Sequence, residues 1–195
     1  MMLDFYIRAL DIFIALLAIA ALFPLLAGAA LLVRATGRPI IFRQKRNGMN
    51  GKIFTIYKFR TMRVMEDGDK KFHQAAFKDD RTTTIGSFMR HYSIDELPQL
   101  FNVLKGEMSI VGARPHVLAH DREFEDQIKD YMKRYSLRPG LTGLAQIRRF
   151  RGPTDTLEKM VNRVQSDLEY IEKRSVKLYL DIIRQTAMGL YKEAN

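Results

Sequence analysis

"HYSIDELPQLFNVLKGEMSIVGARP", residues 91–115, places two adjacent acids, Asp95 and Glu96, just ahead of an apolar run. Leu97, Leu100, Phe101 and Leu104 recur at i, i+3, i+4 and i+7, which predicts a helix with one buried face. Pro98 is tolerated only in a first turn, so Ile94 or Asp95 reads as the N-cap, and Ser93 with Glu96 spells a capping box. Capping alone would account for both acids. Their neighbours point further: Arg90 precedes them and Arg114 sits on the "VGARP" turn, in a chain of net charge +10. Positive neighbours and a helix N-terminus keep a carboxylate ionised, and an ionised carboxylate can attack phosphorus.

A basic balance of this size calls for an anionic partner: nucleic acid, an anionic membrane surface or a phosphorylated substrate. Residues 12–33 contain no charge and, as a helix, match the roughly 30 Å hydrocarbon core of a bilayer, so the chain meets a membrane. Pro24 near the middle of that segment removes the hydrogen bond to the Ala20 carbonyl and predicts a kink or break. Such a segment either spans with a kink or dips in and returns to one face. Arg34, Arg38, Arg43, Lys45 and Arg46 on one flank and Arg8 on the other favour the cytoplasmic side for both ends. Without cysteine the chain has neither a disulfide framework nor a thiolate metal site. The i, i+4 pair His116/His120 lacks the Glu of a zinc helix.

Downstream, "IIFRQKRNGMNGKIFTIYKFRTM" alternates apolar and polar residues around a turn at 48–51, predicting two strands, and ends on Lys58, Arg60 and Arg63. Residues 64–84 read as a surface loop with a short helix, and "GSFMRHYS" as a brief helix. A helical stretch follows to about 135, then the loop "RPGLTG", a short strand "LAQIRRF" and long helices over 156–173 and 175–191. The last helix is amphipathic and suits either the membrane surface or the core. The expected class is α+β: an N-terminal membrane element over 1–36, then a small helix-rich catalytic domain over 37–195 with short strands and interfacial helices.

Taken in order, "FRQKRNGMNGKIFTIYKFRTM", "SIDELPQLFNVLKGEMSIVGARP", "RPGLTGLAQ" and "DLEYIEKRSVKLYLDI" resemble the monotopic phosphoglycosyl transferases, the bacterial sugar transferase family. The resemblance covers nearly the whole chain. It implies a bacterial inner-membrane enzyme on the cytoplasmic face that moves a sugar 1-phosphate from a UDP-sugar to undecaprenyl phosphate and releases UMP. It further implies an Asp-Glu dyad with Mg²⁺ in a two-step covalent mechanism. Asp95 matches the nucleophile, and Glu96 the metal ligand and dyad partner. Lys58, Arg60, Arg90 and Arg114 match basic positions around the phosphates, with Arg138 and Gln146 on a loop near the site. The family's membrane helix is re-entrant, broken at a proline matching Pro24.

Three departures accompany the resemblance. Phe23 stands where members often carry a serine, the usual "GPRP" turn is "GARP" with Ala113, and Arg148 and Arg149 replace a common Asn-Gly. "RGPTDTLEKM" is similar to the hexose-1-phosphate branch, typically glucose or galactose. No nucleic-acid partner is expected, and a homo-oligomer is compatible with the sequence. The rival reading is a membrane-anchored basic module that binds nucleic acid or acidic lipid without chemistry. It leaves the adjacent acids without a role.

Overall fold

The apolar N-terminal run forms one helix, α1 (Met2–Ala35), in a computed structural model that describes residues 2–63, 81–150, 152 and 156–194, with side chains to 189. The backbone stays helical through Pro24, so no loop divides α1 into two segments. Phe13, Leu16, Leu17, Phe23, Leu31 and Leu32 are exposed along it, and the helix is long and apolar enough to cross a membrane. Its two ends are nevertheless both docked on the rest of the chain. Ile7 and Ala15 enter the main core, whereas Ala29 and Val33 enter a separate cluster with Phe59 and Met89.

The predicted strand–turn–strand is an antiparallel hairpin, β1 (Ile41–Asn47) and β2 (Ile53–Phe59), in register from Ile41↔Phe59 to Asn47↔Ile53. The turn is a 3₁₀ segment, Met49–Gly51, with Asn50 at φ 56° and Gly51 at φ 74°. Of the loop expected over 64–84, residues 64–80 lie outside the described residues. Helix α2 (Thr84–His91) begins where the Thr83 hydroxyl accepts from the Gly86 amide at 2.9 Å.

Helix α3 (Gln99–Leu104) starts later than the capping pattern predicted. Residues Ile94–Glu96 form a separate 3₁₀ turn, and Ser93, in the left-handed region at φ 58°, makes no side-chain cap. Pro98 occupies the N-cap of α3, so neither acid caps it. The buried face also differs: Phe101 is exposed, while Gln99 and Asn102 lie inside beside Leu100 and Val103. Apolar periodicity missed this because two polar side chains take core positions, Asn102 through three hydrogen bonds.

A short strand, β3 (Ser109–Val111), pairs in parallel with β4 (Gly140–Thr142). Gly112 and Gly140 allow that approach, since a Cβ on Gly140 would fall 2.1 Å from the Gly112 amide. Between them, the helical stretch expected to 135 is α4 (Leu118–Glu125) and a 3₁₀ segment, Tyr131–Tyr135. "LAQIRRF", expected as a strand, instead opens with helix α5 (Leu144–Ile147). β4 has already paired with β3, and consecutive Leu144 and Ala145 are both buried, which a strand half exposed to water would not allow. Helices α6 (Leu157–Lys173) and α7 (Val176–Ala194) follow as expected, α6 capped by the Thr156 hydroxyl on the Lys159 amide. Tyr179 and Ile182 of α7 are fully buried, so core packing claims that face, while Leu180 and Met188 stay exposed.

Candidate active site

The 3₁₀ turn Ile94–Glu96 carries the two acids to where β2 and the segment after β3 converge. Asn102 secures that convergence: its Oδ1 accepts from the Tyr57 amide at 3.1 Å, and its Nδ2 donates to the Thr55 carbonyl and to Glu107 Oε2, both at 2.7 Å. A fully buried amide thereby locks α3 to the edge of β2, which brings Lys58 beside Glu96. The sequence singled out neither Asn102 nor this bridge.

Glu96 is held from two sides. Lys58 Nζ donates to its Oε1 at 2.8 Å, Arg114 Nη1 donates to Oε2 at 2.9 Å, and Arg114 Nη2 closes a fork on Oε1. Burial alone would raise the Glu96 carboxyl, but Arg114 and then Lys58 outweigh it and hold it well below the usual carboxylate range. Glu96 in turn keeps Arg114 charged despite burial.

Asp95, one residue earlier, is treated differently. It is buried and accepts no hydrogen bond among the described residues. Burial, and next the Glu96 carboxylate, raise its carboxyl to about 6, against the pull of Lys58, Arg90 and Arg114. Two consecutive carboxyls therefore have well-separated proton affinities, the arrangement by which one acid is kept as a fixed anion and the other as a responsive group.

The remaining candidates divide. Arg90 lies within electrostatic reach of Asp95 and is tethered through Nε to the Thr61 hydroxyl at 3.0 Å. Arg60 points elsewhere: buried, it donates to the carbonyls of Pro39 at 2.9 Å, Met62 at 3.1 Å and Val33 at 3.3 Å, and to the Thr36 hydroxyl at 2.9 Å. It thus caps the C-terminal end of α1, where a cation complements the helix dipole. Arg138 donates to the Gly106 carbonyl at 2.8 Å and lines a small cavity with Arg8, Asp11 and Arg174. Gln146 donates to the Leu141 carbonyl at 2.9 Å. None of these three side chains has a bond to the dyad among the described residues.

Arg46, unremarked as a site residue in the sequence, reaches the "GARP" turn: Nη1 donates to the Pro115 carbonyl at 3.3 Å, while its buried Nε has no partner among the described residues. Burial and then Arg114 lower it to about 10. His116 is wedged between two guanidinium groups, with Arg134 Nη1 2.6 Å from Nδ1 and Arg163 Nη1 3.2 Å from Nε2. Burial and those arginines hold it neutral, in a setting that repels a cation.

A divalent ion is to be judged on the donor set. Among the described residues no three His, Cys, Asp or Glu side chains cluster. The two dyad carboxylates are hard oxygen donors. Glu96 Oε1 has both acceptor directions filled, but Oε2 receives one donor and the Asp95 oxygens none. Mg²⁺ is commonly held by one or two carboxylates with substrate phosphates and water completing the shell, and these residues fit that pattern.

The bacterial sugar transferase profile matches residues 2–193. The chain belongs to the bacterial sugar transferase family. It is 50% identical over 177 residues to a UDP-glucose:undecaprenyl-phosphate glucose-1-phosphate transferase of Escherichia coli, covering 90% of this chain and 38% of that protein. A protein of the same description from Caulobacter vibrioides is 47% identical, covering 96% and 70%. The exopolysaccharide production protein PSS of Rhizobium leguminosarum is 42% identical, covering 93% of each chain. The chain thus spans little more than a third of the Escherichia coli relative.

Proposed function

We propose that this protein transfers a sugar 1-phosphate, glucose 1-phosphate first among candidates, from a UDP-sugar to undecaprenyl phosphate in exopolysaccharide synthesis. The observation that carries the reading is the asymmetry of the dyad: a buried Asp95 with no donor among the described residues, beside a Glu96 anion paired with Lys58 and Arg114. The names of the relatives in Escherichia coli and Caulobacter vibrioides support glucose and undecaprenyl phosphate.

In the first step an Asp95 carboxylate oxygen attacks the phosphorus that bears the sugar. The bond from that phosphorus to the bridging oxygen breaks, UMP leaves with the electron pair, and an aspartyl phosphosugar remains. In the second step an oxygen of undecaprenyl phosphate attacks the same phosphorus and returns the Asp95 carboxylate. Lys58, Arg90 and Arg114 surround the reacting phosphates with cationic donors. Arg114 spends two of its five N–H groups on Glu96 and keeps the others for phosphate oxygens. Mg²⁺ held by Glu96 and Asp95 would offset charge on the diphosphate and its leaving group. Glu96, fixed as an anion, holds the Arg114 fork and would hold that ion on the same carboxylate.

The membrane reading supported best is a helix that enters and leaves on one face, the cytoplasmic one. Near its N-terminal end, Arg8 donates to the carbonyls of Val103 at 2.8 Å and Leu104 at 3.1 Å, and Asp11 accepts from Ser109 Oγ, the Ile110 amide and Tyr179 Oη at 2.7–2.8 Å. At the other end Arg60 grips Val33 and Thr36. A span would put roughly 30 Å of hydrocarbon between ends that here rest on one domain. The basic flanks favour the cytoplasmic face.

The deciding experiment is release of UMP from a panel of UDP-sugars by the purified protein with undecaprenyl phosphate. Turnover with at least one donor is expected. No release with any donor would return the chain to the rival reading of a basic membrane-bound module.

A further inference from the structure

The turn that carries Arg114 is short of internal rigidity, because Ala113 stands where a proline ring would fix the backbone. It is held from outside instead. The Gly112 amide donates to the Thr142 carbonyl, and the Ala113 carbonyl accepts from the Gly140 amide, both at 2.9 Å. The Arg114 carbonyl accepts from Arg134 Nη2 at 3.0 Å, the Pro115 carbonyl from Arg46, and the His116 amide donates to Tyr135 Oη at 3.2 Å. Of these anchors, the one on Arg114 itself comes from a charged side chain with no solvent exposure at all.

Arg134 can touch neither bulk water nor a substrate. Its Nε and Nη2 both donate to Asp167 Oδ2, at 3.0 and 2.6 Å, and its Nη1 faces His116 Nδ1 and Tyr131 Oη. Asp167 belongs to α6, and Tyr131 and Tyr135 both donate to Asp121 of α4, at 2.7 and 2.8 Å. A buried ion pair is a weak source of net stability compared with apolar packing of similar volume, so its retention asks for another role.

We propose that Arg134, braced by Asp167, is a positioning residue that fixes the Arg114 backbone and thereby aims the Arg114 fork at Glu96. The inference rests on the transferase reading for its consequence in turnover, but not for its geometry. Small misplacements of a catalytic group are costly, about 10²-fold for roughly 1 Å.

The test uses the full chain in detergent or nanodiscs. The double variant Arg134→Met/Asp167→Leu replaces the pair with apolar groups and is expected to keep a cooperative melt. Its kcat should fall about tenfold or more while KM for the UDP-sugar changes far less. In an Arg114→Ala background the same double change should produce no further loss, because its action runs through Arg114. Arg134→Lys retains the charge facing Asp167 but lacks the fork that reaches Asp167 and the carbonyl together, so it should recover melting temperature and not turnover. It also carries every readout should the double variant fail to fold.

A measurement independent of activity is nitrogen-15 NMR of the arginine side chains, with Arg114 assigned by its loss in Arg114→Lys. Separate Nη signals in the native chain should coalesce in the double variant as the guanidinium is freed. Unchanged Arg114 signals, or losses that multiply in the Arg114→Ala background, would overturn the inference. If the native chain transfers no sugar, the transferase reading fails while the NMR signals still decide the role of Arg134.

Discussion

Asp95 and Glu96 are consecutive in one 3₁₀ turn, yet Lys58 and Arg114 both bond Glu96 while no described residue donates to Asp95. The proposed mechanism asks for a free lone pair on Asp95 and a fixed charge on Glu96, and this division provides both.

Substituting the two acids should therefore have unequal effects. Asp95→Asn should abolish transfer with little change in melting temperature, because the carboxyl accepts no hydrogen bond among the described residues. Glu96→Gln should lower turnover and also destabilise the fold, since it leaves Lys58 and Arg114 partly buried beside a neutral amide. Breaking a buried pair from one side costs about 3–5 kcal/mol, and partial exposure here puts the loss below that range. Equal melting temperatures for the two variants would count against the clamp.

Activity should rise with pH along a limb near 6. Asp95 is raised to about 6 by burial and by Glu96, and in the proposed mechanism only its ionised form attacks, so turnover should grow as pH passes upward through that value. Because the carboxyls interact, the apparent value belongs to the pair. Lys58→Met removes a charge that lowers Asp95 and should move the limb upward. A limb that shifts downward, or does not shift, in kcat/KM profiles would oppose the assignment.

Arg114→Ala should lower turnover by about 10²-fold or more, the scale on which electrostatic stabilisers act. Arg114→Lys should recover only part, since an ammonium cannot close a fork on both Glu96 oxygens. Steady-state rates with UDP-glucose decide this, and native turnover in Arg114→Ala would refute it.

The grouping of Lys58 and Arg114 with the dyad was legible through the long stretches that resemble the bacterial sugar transferases, whereas residue type alone also allowed helix capping and a solvated strand end. Arg60 was harder to place. A basic residue at a strand end reads the same whether it faces phosphate or, as here, the last carbonyls of a helix. Gln99 and Asn102 fall outside the apolar i, i+3, i+4 set of α3, so a periodicity that counts only apolar residues gives no sign of their burial. The Arg134–Asp167 pair, 33 residues apart in the chain, leaves no local pattern at all.

Topology offers a separate check. With Met2→Cys in an otherwise cysteine-free chain, a membrane-impermeant thiol reagent applied from the periplasm should fail to label the protein. Pro24→Leu makes the uncharged stretch of α1, residues 12–33, a fully bonded apolar helix about 33 Å long and should favour spanning, so labelling should appear. Periplasmic labelling of the chain with Pro24 intact would refute entry and exit on one face.

The central claim, covalent transfer through Asp95, is tested most directly by mixing the protein with UDP-glucose and Mg²⁺ without undecaprenyl phosphate and mapping the modified peptide by mass spectrometry. The account predicts UMP release limited to about one per chain, a hexose-phosphate adduct on Asp95, and its discharge when undecaprenyl phosphate is added. An adduct on another residue, or UMP release that occurs only once the acceptor is present, would contradict it.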